Sequence, residues 1–226
     1  MQTAGRLNGI GEYYFSQKLR EIEELNKTGE RVINLGIGSP DLPPHPDVIA
    51  ALHTESSNPA QHAYQSYRGV PTLRVAVANW YRQWYGVQLD AGTEILPLMG
   101  SKEGIMHICM TYLGPGDMAL VPNPGYPAYA AAVQLAGAQA VYYSLSEAGR
   151  FQPSLQQLEQ LVQQHGNIKL LFLNYPHMPT GELPSKAVLE QLVAFARQQG
   201  ILLVHDNPYS FILNEEPFSI LSIPGA

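Results

Sequence analysis

Cysteine is almost missing from this 226-residue chain: Cys109 stands alone. One thiol can build neither an internal disulfide framework nor a cysteine-rich zinc site. Its neighbours, Ile105-Met106-His107-Ile108 and Met110, predict a buried free thiol rather than a nucleophile. Charge is scarce too, at 14% of residues against roughly 25% in an average soluble chain. Glutamine fills part of the gap, as at Gln156, Gln157, Gln160, Gln163 and Gln164. The remainder predicts surface covered by a partner subunit or by further chain. There is no basic run and the net charge is −6, which argues against nucleic acid and against an anionic membrane surface. No apolar stretch approaches the roughly 18 residues of a membrane helix. The first residues lack a charged head followed by an apolar block, so no signal peptide is expected. The histidines show no HExxH or Cys/His spacing, so no metal is expected. A GxSxG elbow is lacking as well. These absences leave a soluble globular protein of a reducing compartment, the cytoplasm.

Apolar residues are plentiful, at 45%, and the length allows one large domain or two small ones. Phe15, Leu19, Ile22 and Leu25 fall on one helical face, predicting a helix over Tyr14–Leu25 stopped by Thr28-Gly29. Val32–Leu35 reads as a short strand. It empties into Gly36-Ile37-Gly38-Ser39-Pro40-Asp41-Leu42-Pro43-Pro44-His45-Pro46, which is neither helix nor central strand. A domain boundary is expected here, with an arm and the start of a small domain over 1–46 and a large domain over 47–226. Beyond it, strand patterns at Ile95–Met99, Met118–Val121, Ala140–Leu145, Ile168–Leu173 and Ile201–Val204 alternate with helical ones. Those helices are expected at Leu73–Tyr85, Glu103–Tyr112, Ala128–Leu135, Ser154–His165 and Ser185–Gln199. Ser154 with Gln157 reads as a capping box, and Ser185 after Pro184 as an N-cap. The alternation predicts an α/β fold, a doubly wound and mostly parallel sheet.

In such a sheet, ligands bind outside the carboxyl ends of the strands. Four expected strand ends carry concentrated polar or Gly/Pro chemistry. Gly100-Ser101-Lys102 at a helix start suits a phosphate, and equally reads as an ordinary cap with a solvated lysine. Asp206 begins where an apolar strand ends, so its poorly solvated carboxylate wants a cationic or N–H partner, unless it caps the next turn. His205 before it should face the other way as a structural histidine. Tyr126, held between Gly125 and Pro127, would either cover a flat ligand or pack on its own loop. Tyr209, three residues after Asp206, is spaced so that both could serve one ligand. Tyr64 and Tyr67 fit core, interface or site equally. Gly36-Ile37-Gly38-Ser39-Pro40-Asp41 fails as a dinucleotide fingerprint, because Asp41 stands at the third glycine and Pro40 and Pro43 block the helix.

Read in order, several segments resemble the class I/II aminotransferases, the fold type I enzymes that use pyridoxal 5′-phosphate. The aspartate and LL-diaminopimelate aminotransferase branch is the most similar. The segments are Gly36-Ile37-Gly38-Ser39-Pro40-Asp41, Tyr64 before Gly69, Leu73-Arg74-Val75-Ala76-Val77-Ala78, Gly100-Ser101-Lys102-Glu103-Gly104, Asn123-Pro124-Gly125-Tyr126-Pro127, Pro179-Thr180-Gly181 and Asp206-Asn207-Pro208-Tyr209. The resemblance implies that Ser101 and Lys102 hold the cofactor phosphate. Tyr126 would stack on the pyridine ring, Asp206 pair with its nitrogen, and Tyr209 donate to the phenolic oxygen. Gly38 and Tyr13 would meet the substrate. Tyr64 would reach the neighbouring subunit's phosphate, which implies a homodimer. The implied reaction moves an amino group between an amino acid and a 2-oxo acid.

Two departures stand out. Met178 occupies the place of the family's asparagine before Pro179-Thr180-Gly181. The Schiff-base lysine is expected beyond Tyr209, whereas Lys18, Lys27, Lys102, Lys169 and Lys186 all precede Asp206. The chain therefore reads as the N-terminal portion of such an enzyme, incomplete on its C-terminal side and inactive alone. The alternative is a non-catalytic domain of the same fold that binds cofactor or a partner.

Overall fold

A computed structural model describes residues 2–8, 10–36, 38, 41–212 and 214–226. It divides into two units, Gly9–Ser66 and the larger one made of Met1–Asn8 with Tyr67–Ala226.

The smaller unit holds α1 (Tyr14–Lys27) and α2 (Pro46–Ser56). On α1, Phe15, Leu19 and Ile22 recur at helical spacing. They line a groove of about 280 Å³ with Ile33, Leu35 and Gly36. Thr28 and the positive-φ Gly29 end the helix as the sequence predicts. The expected strand Val32–Leu35 does not form. Ile33 and Leu35 are 82% and 91% exposed, and an extended segment becomes a strand only where a neighbour pairs its backbone groups. Of the Gly/Pro stretch, Ile37, Ser39 and Pro40 lie outside the described residues. Helix α2 was not expected. Its signals are Pro46 at the first position, the His45 ring accepting from the Asp47 N–H at 3.3 Å, and the acidic Asp47.

The larger unit runs α3 (Pro71–Tyr85), α4 (Ser101–Tyr112), β1 (Met118–Asn123), α5 (Pro127–Leu135), β2 (Gln139–Ser144), α6 (Leu155–Gln164), β3 (Ile168–Asn174), α7 (Lys186–Gln199) and β4 (Leu202–Asp206). All pairings are parallel, in the order β2-β1-β3-β4. The α/β alternation expected from the sequence is what forms. One expected strand does not: Ile95–Met99 pairs with nothing among the described residues, and Leu96 and Met99 stay exposed.

Period-two alternation sorts each central strand between two cores. Leu120 of β1 and Leu171 and Leu173 of β3 pack with Leu158 of α6 and Leu189, Leu192 and Phe195 of α7. The intervening Ala119, Val121, Leu170 and Phe172 pack on the opposite face with Ile105 and Cys109 of α4 and Tyr129 and Val133 of α5. Each fully buried leucine contributes about 1.5–3 kcal/mol, so both strands are held from both faces. Cys109 is wholly buried as expected, and burial pushes its thiol up to about 11. The Ser154 hydroxyl accepts from the Gln157 N–H at 3.4 Å. Gln157 does not complete the box; its side chain accepts from the Ser144 N–H where β2 ends. Ser185 takes the N-cap position without a side-chain cap bond.

Candidate functional site

The strand order reverses between β1 and β3, since the chain goes from β1 outward to β2 and then returns past it. Crevices at such a reversal, beyond the carboxyl ends of the strands, are where open α/β sheets bind ligands. A cavity of about 160 Å³ lies there, lined by Ser101, Tyr126, Tyr129, Asn174, Met178, Asp206, Pro208 and Tyr209. Three strand ends and the start of α4 build it. The fourth strand end expected from the sequence is absent, and the loop before Ser101 takes its place.

Asp206 is the last residue of β4, paired in register with Asn174 of β3. Its carboxyl is pushed above the usual range by desolvation, against the opposing pull of a hydrogen bond from Tyr129. That bond runs from the Tyr129 hydroxyl to Asp206 Oδ2 at 2.8 Å. Burial and the adjacent carboxylate push the Tyr129 hydroxyl far up, so it stays protonated and donates. His205 turns the other way. Its Nε2 donates to the Tyr175 carbonyl at 3.0 Å, and burial lowers its pKa to about 4. It is a structural histidine, as its place one residue before Asp206 predicts.

Asn174 is almost wholly buried, and its carboxamide ties two backbones together. Its Nδ2 donates to the Asp206 carbonyl at 3.0 Å, and its Oδ1 accepts from the Met178 N–H at 2.9 Å. The loop that follows is pinned by His177, whose Nε2 meets the Pro124 carbonyl at 3.2 Å and whose Nδ1 meets the Thr180 hydroxyl at 2.8 Å. Burial lowers the His177 pKa, which favours the neutral ring. Met178 lines the cavity with a thioether.

Tyr126 caps α5, and Pro127 is that helix's first residue. Gly125 is required by space, because a Cβ there would stand 2.5 Å from the Pro122 carbonyl oxygen. The turn therefore aims one aromatic ring from a tightly folded backbone. Across from it, α4 opens at Gly100, whose φ of 90° suits glycine and which makes no side-chain cap bond. The Lys102 Nζ sits 5.6 Å from the centre of the Tyr126 ring. The Glu103 carboxylate reaches back to the Met99 N–H at 2.6 Å, fixing the approach to the helix. A helix start with backbone N–H groups, a hydroxyl and an ammonium is a place for an anion.

Of the residues singled out in the sequence, Ser101, Tyr126, Asp206 and Tyr209 therefore share one cavity, with Lys102 beside it. Tyr13, Gly38 and Tyr64 belong to the smaller unit. There Tyr13 caps α1, Gly38 is exposed, and Tyr64 is fully exposed. Sequence reasoning missed Tyr129. Its signal was its spacing, one helical turn after Tyr126 on a helix that leaves the end of a strand. Among the described residues no cluster of His, Cys, Asp and Glu could hold a metal ion, and no helix is long and apolar enough to cross a membrane.

The profile of the family described as aminotransferase class I and II matches residues 30–223. LL-diaminopimelate aminotransferase of Dehalococcoides mccartyi strain CBDB1 is 40% identical over all of this chain, which spans 58% of that protein. The enzyme of the same name from Moorella thermoacetica is also 40% identical, again over 58% of its length. Among solved structures, BacF of Bacillus subtilis in its apo form superposes with a TM-score of 0.89 at 35% identity, covering 100% of this chain and 57% of that one. An aspartate aminotransferase of Thermus thermophilus superposes at 0.89 with 25% identity, covering 99% of this chain and 58% of the other. The chain thus spans somewhat over half the length of the relatives it matches.

Proposed function

The chain belongs to the class I and II aminotransferases, and from that membership we propose that it is the cofactor-binding part of an enzyme that moves an amino group between an amino acid and a 2-oxo acid. The family works with pyridoxal 5′-phosphate. When bound, that cofactor supplies an electron sink that makes the Cα–H bond of an amino acid breakable.

One observation carries the reading: the desolvated carboxylate of Asp206 at the edge of a cavity also lined by Tyr126, Ser101 and Tyr209. A carboxylate so placed is relieved by a cationic N–H, which a protonated pyridine provides. Asp206 would hold that proton at the ring nitrogen. Tyr126 would cover the ring face, Tyr209 would donate to the phenolic oxygen, and Ser101 and Lys102 at the start of α4 would bind the phosphate. Gly38 and Tyr13 would contact the substrate. Tyr64 would serve the phosphate of a second copy, so the working unit is a homodimer, an arrangement its full exposure supports. The division into an arm with the start of a small domain over 1–46 and a large cofactor domain over 47–226 belongs to the same reading, as does a cytoplasmic location. The name shared by the relatives puts LL-diaminopimelate first among amino acids to try.

The family resemblance implies that a lysine would hold the cofactor and take the Cα proton, and no lysine follows Asp206 in these 226 residues. The 226-residue chain alone is therefore proposed to bind without transaminating. Met178 favours a second reading, a domain that binds without catalysis in any context. The asparagine implied at that place is missing, and Asn174, the nearest substitute, already holds two backbone groups.

Titration of the purified chain with pyridoxal 5′-phosphate, followed by cofactor absorbance and fluorescence, tests the cofactor assignment. Saturable binding that inorganic phosphate competes away, and that Asp206→Ala weakens at least about ten-fold, is expected. No binding, or binding indifferent to both, overturns it.

A further inference from the structure

Asp206 is useful to a ring nitrogen only if its carboxylate is ionised and correctly turned, and its surroundings work against the first condition because desolvation disfavours the charge. Backbone geometry places the residue. Asp206 ends β4 opposite Asn174, whose Nδ2 holds the Asp206 carbonyl at 3.0 Å. Neither contact turns the carboxyl group itself. The 2.8 Å bond from the Tyr129 hydroxyl to Oδ2 does.

Tyr129 is unusually well fixed. Its side chain is 0% exposed, and its ring stacks on Phe172 of β3 with centroids 5.0 Å apart and planes 16° from parallel. The edge of the Tyr126 ring meets it at 5.6 Å and 83°. Tyr129 is one turn into α5, the helix that Tyr126 caps. One buried ring thus touches both the aromatic group and the carboxylate that line the cavity.

The geometry points to Tyr129 as a positioning residue: its hydroxyl occupies Oδ2 of Asp206 and so leaves Oδ1 as the anionic oxygen that meets a cationic ring nitrogen in the cavity. This rests on the reading of the cavity as the pyridoxal phosphate site and deepens it. A donor on one oxygen stabilises the ionised carboxylate against its burial. It also fixes the side-chain torsion, so the second oxygen is presented in one direction. A ligand without the ring nitrogen makes no use of either effect.

The test compares two probes on the same chain, pyridoxal 5′-phosphate and its 1-deaza analogue, in which a carbon replaces the ring nitrogen. Tyr129→Phe removes the hydroxyl and keeps the ring. The wild-type chain is expected to prefer the natural cofactor. Tyr129→Phe should weaken that cofactor about ten-fold, the scale of a hydrogen bond to a charged group, and leave the analogue within about two-fold. In an Asp206→Asn chain, Tyr129→Phe should change neither affinity further. An unchanged affinity for the natural cofactor overturns the inference. Equal weakening of both probes, up to total loss, also overturns it and makes Tyr129 a packing residue only. A wild-type chain that binds both probes equally overturns the inference while leaving the cavity a cofactor site. A wild-type chain that binds neither overturns the cofactor reading and the inference with it.

Discussion

Asp206 is costly to the empty fold. Its folded pKa is raised, so the folded state binds more protons than the unfolded one, and stability falls as pH rises through the window above the unfolded value of about 3.9. At neutral pH the charge is a standing cost that a cationic ligand would relieve. Asp206→Asn keeps an acceptor for Tyr129 and removes the charge. It should raise the melting temperature of the ligand-free chain by about 2 °C while weakening the cofactor, both readable by differential scanning fluorimetry with and without pyridoxal phosphate. A lower melting temperature without ligand would contradict this. His205 has the opposite dependence. With a folded pKa of about 4 against about 6.5 unfolded, its contribution is complete above pH ~6.5. It is lost as pH falls towards 4, up to about 3 kcal/mol. His177 acts in the same direction. Urea midpoints measured across that range should fall with pH, and His205→Gln, which retains an N–H for the Tyr175 carbonyl, should flatten the slope. A slope unaffected by that substitution would remove His205 as its source.

The elements that carry the site are short turns bolted to rigid strands and helices. Between β1 and α5, Gly125 passes so close to the Pro122 carbonyl that even a methyl group does not fit. Gly125→Ala should move the turn, and with it Tyr126, against a backbone atom that cannot yield as a flexible side chain would. The expected result is loss of cofactor affinity by about ten-fold or more and destabilisation of about 1–3 kcal/mol. The same substitution at Gly166, where no atom lies within 4 Å of the added carbon, is the control. Equal behaviour of the two variants would show that close packing at Gly125 is immaterial. The Ser154–Gln157 pair shows how elements trade caps: one half of the expected box caps α6, and the other half satisfies the end of β2.

For the whole molecule, the proposed function separates the residues that would hold the cofactor from the lysine that would react with it. A cavity sits at the reversal of the parallel sheet, and every lysine of the 226 residues lies before Asp206. Lys102, on α4, sits over the Tyr126 ring, and the proposed function assigns its ammonium to the cofactor phosphate and not to proton transfer at Cα. The purified 226-residue chain, supplied with pyridoxal phosphate, LL-diaminopimelate and a 2-oxo acid, should therefore bind cofactor and form no new amino acid. Product detected by mass spectrometry above a protein-free control would overturn that expectation. Sequencing the coding DNA past the Ala226 codon would show directly whether a Ser-x-x-Lys segment follows.

Hydrophobic period and punctuation determined most of the architecture. Strands β1 to β4 and helices α1 and α3 to α7 are legible because each carries its own signal, an apolar run or a helical stripe bounded by Gly, Pro or a capping residue. That Asp206, Tyr126 and Tyr209 line one cavity was legible because polar groups after apolar strands mark one edge of a sheet, and Ser101 joins them from a helix start that no strand precedes. Where structure depends on a partner distant in sequence, the chain was silent. Val32–Leu35 and Ile95–Met99 have strand composition, but only pairing makes a strand. Tyr129 is one apolar-looking position on a helix until folding brings it across 77 residues to Asp206. Its spacing one turn after Tyr126 was the signal the sequence held, but the contact with Asp206 is a distance between two side chains that only folding sets.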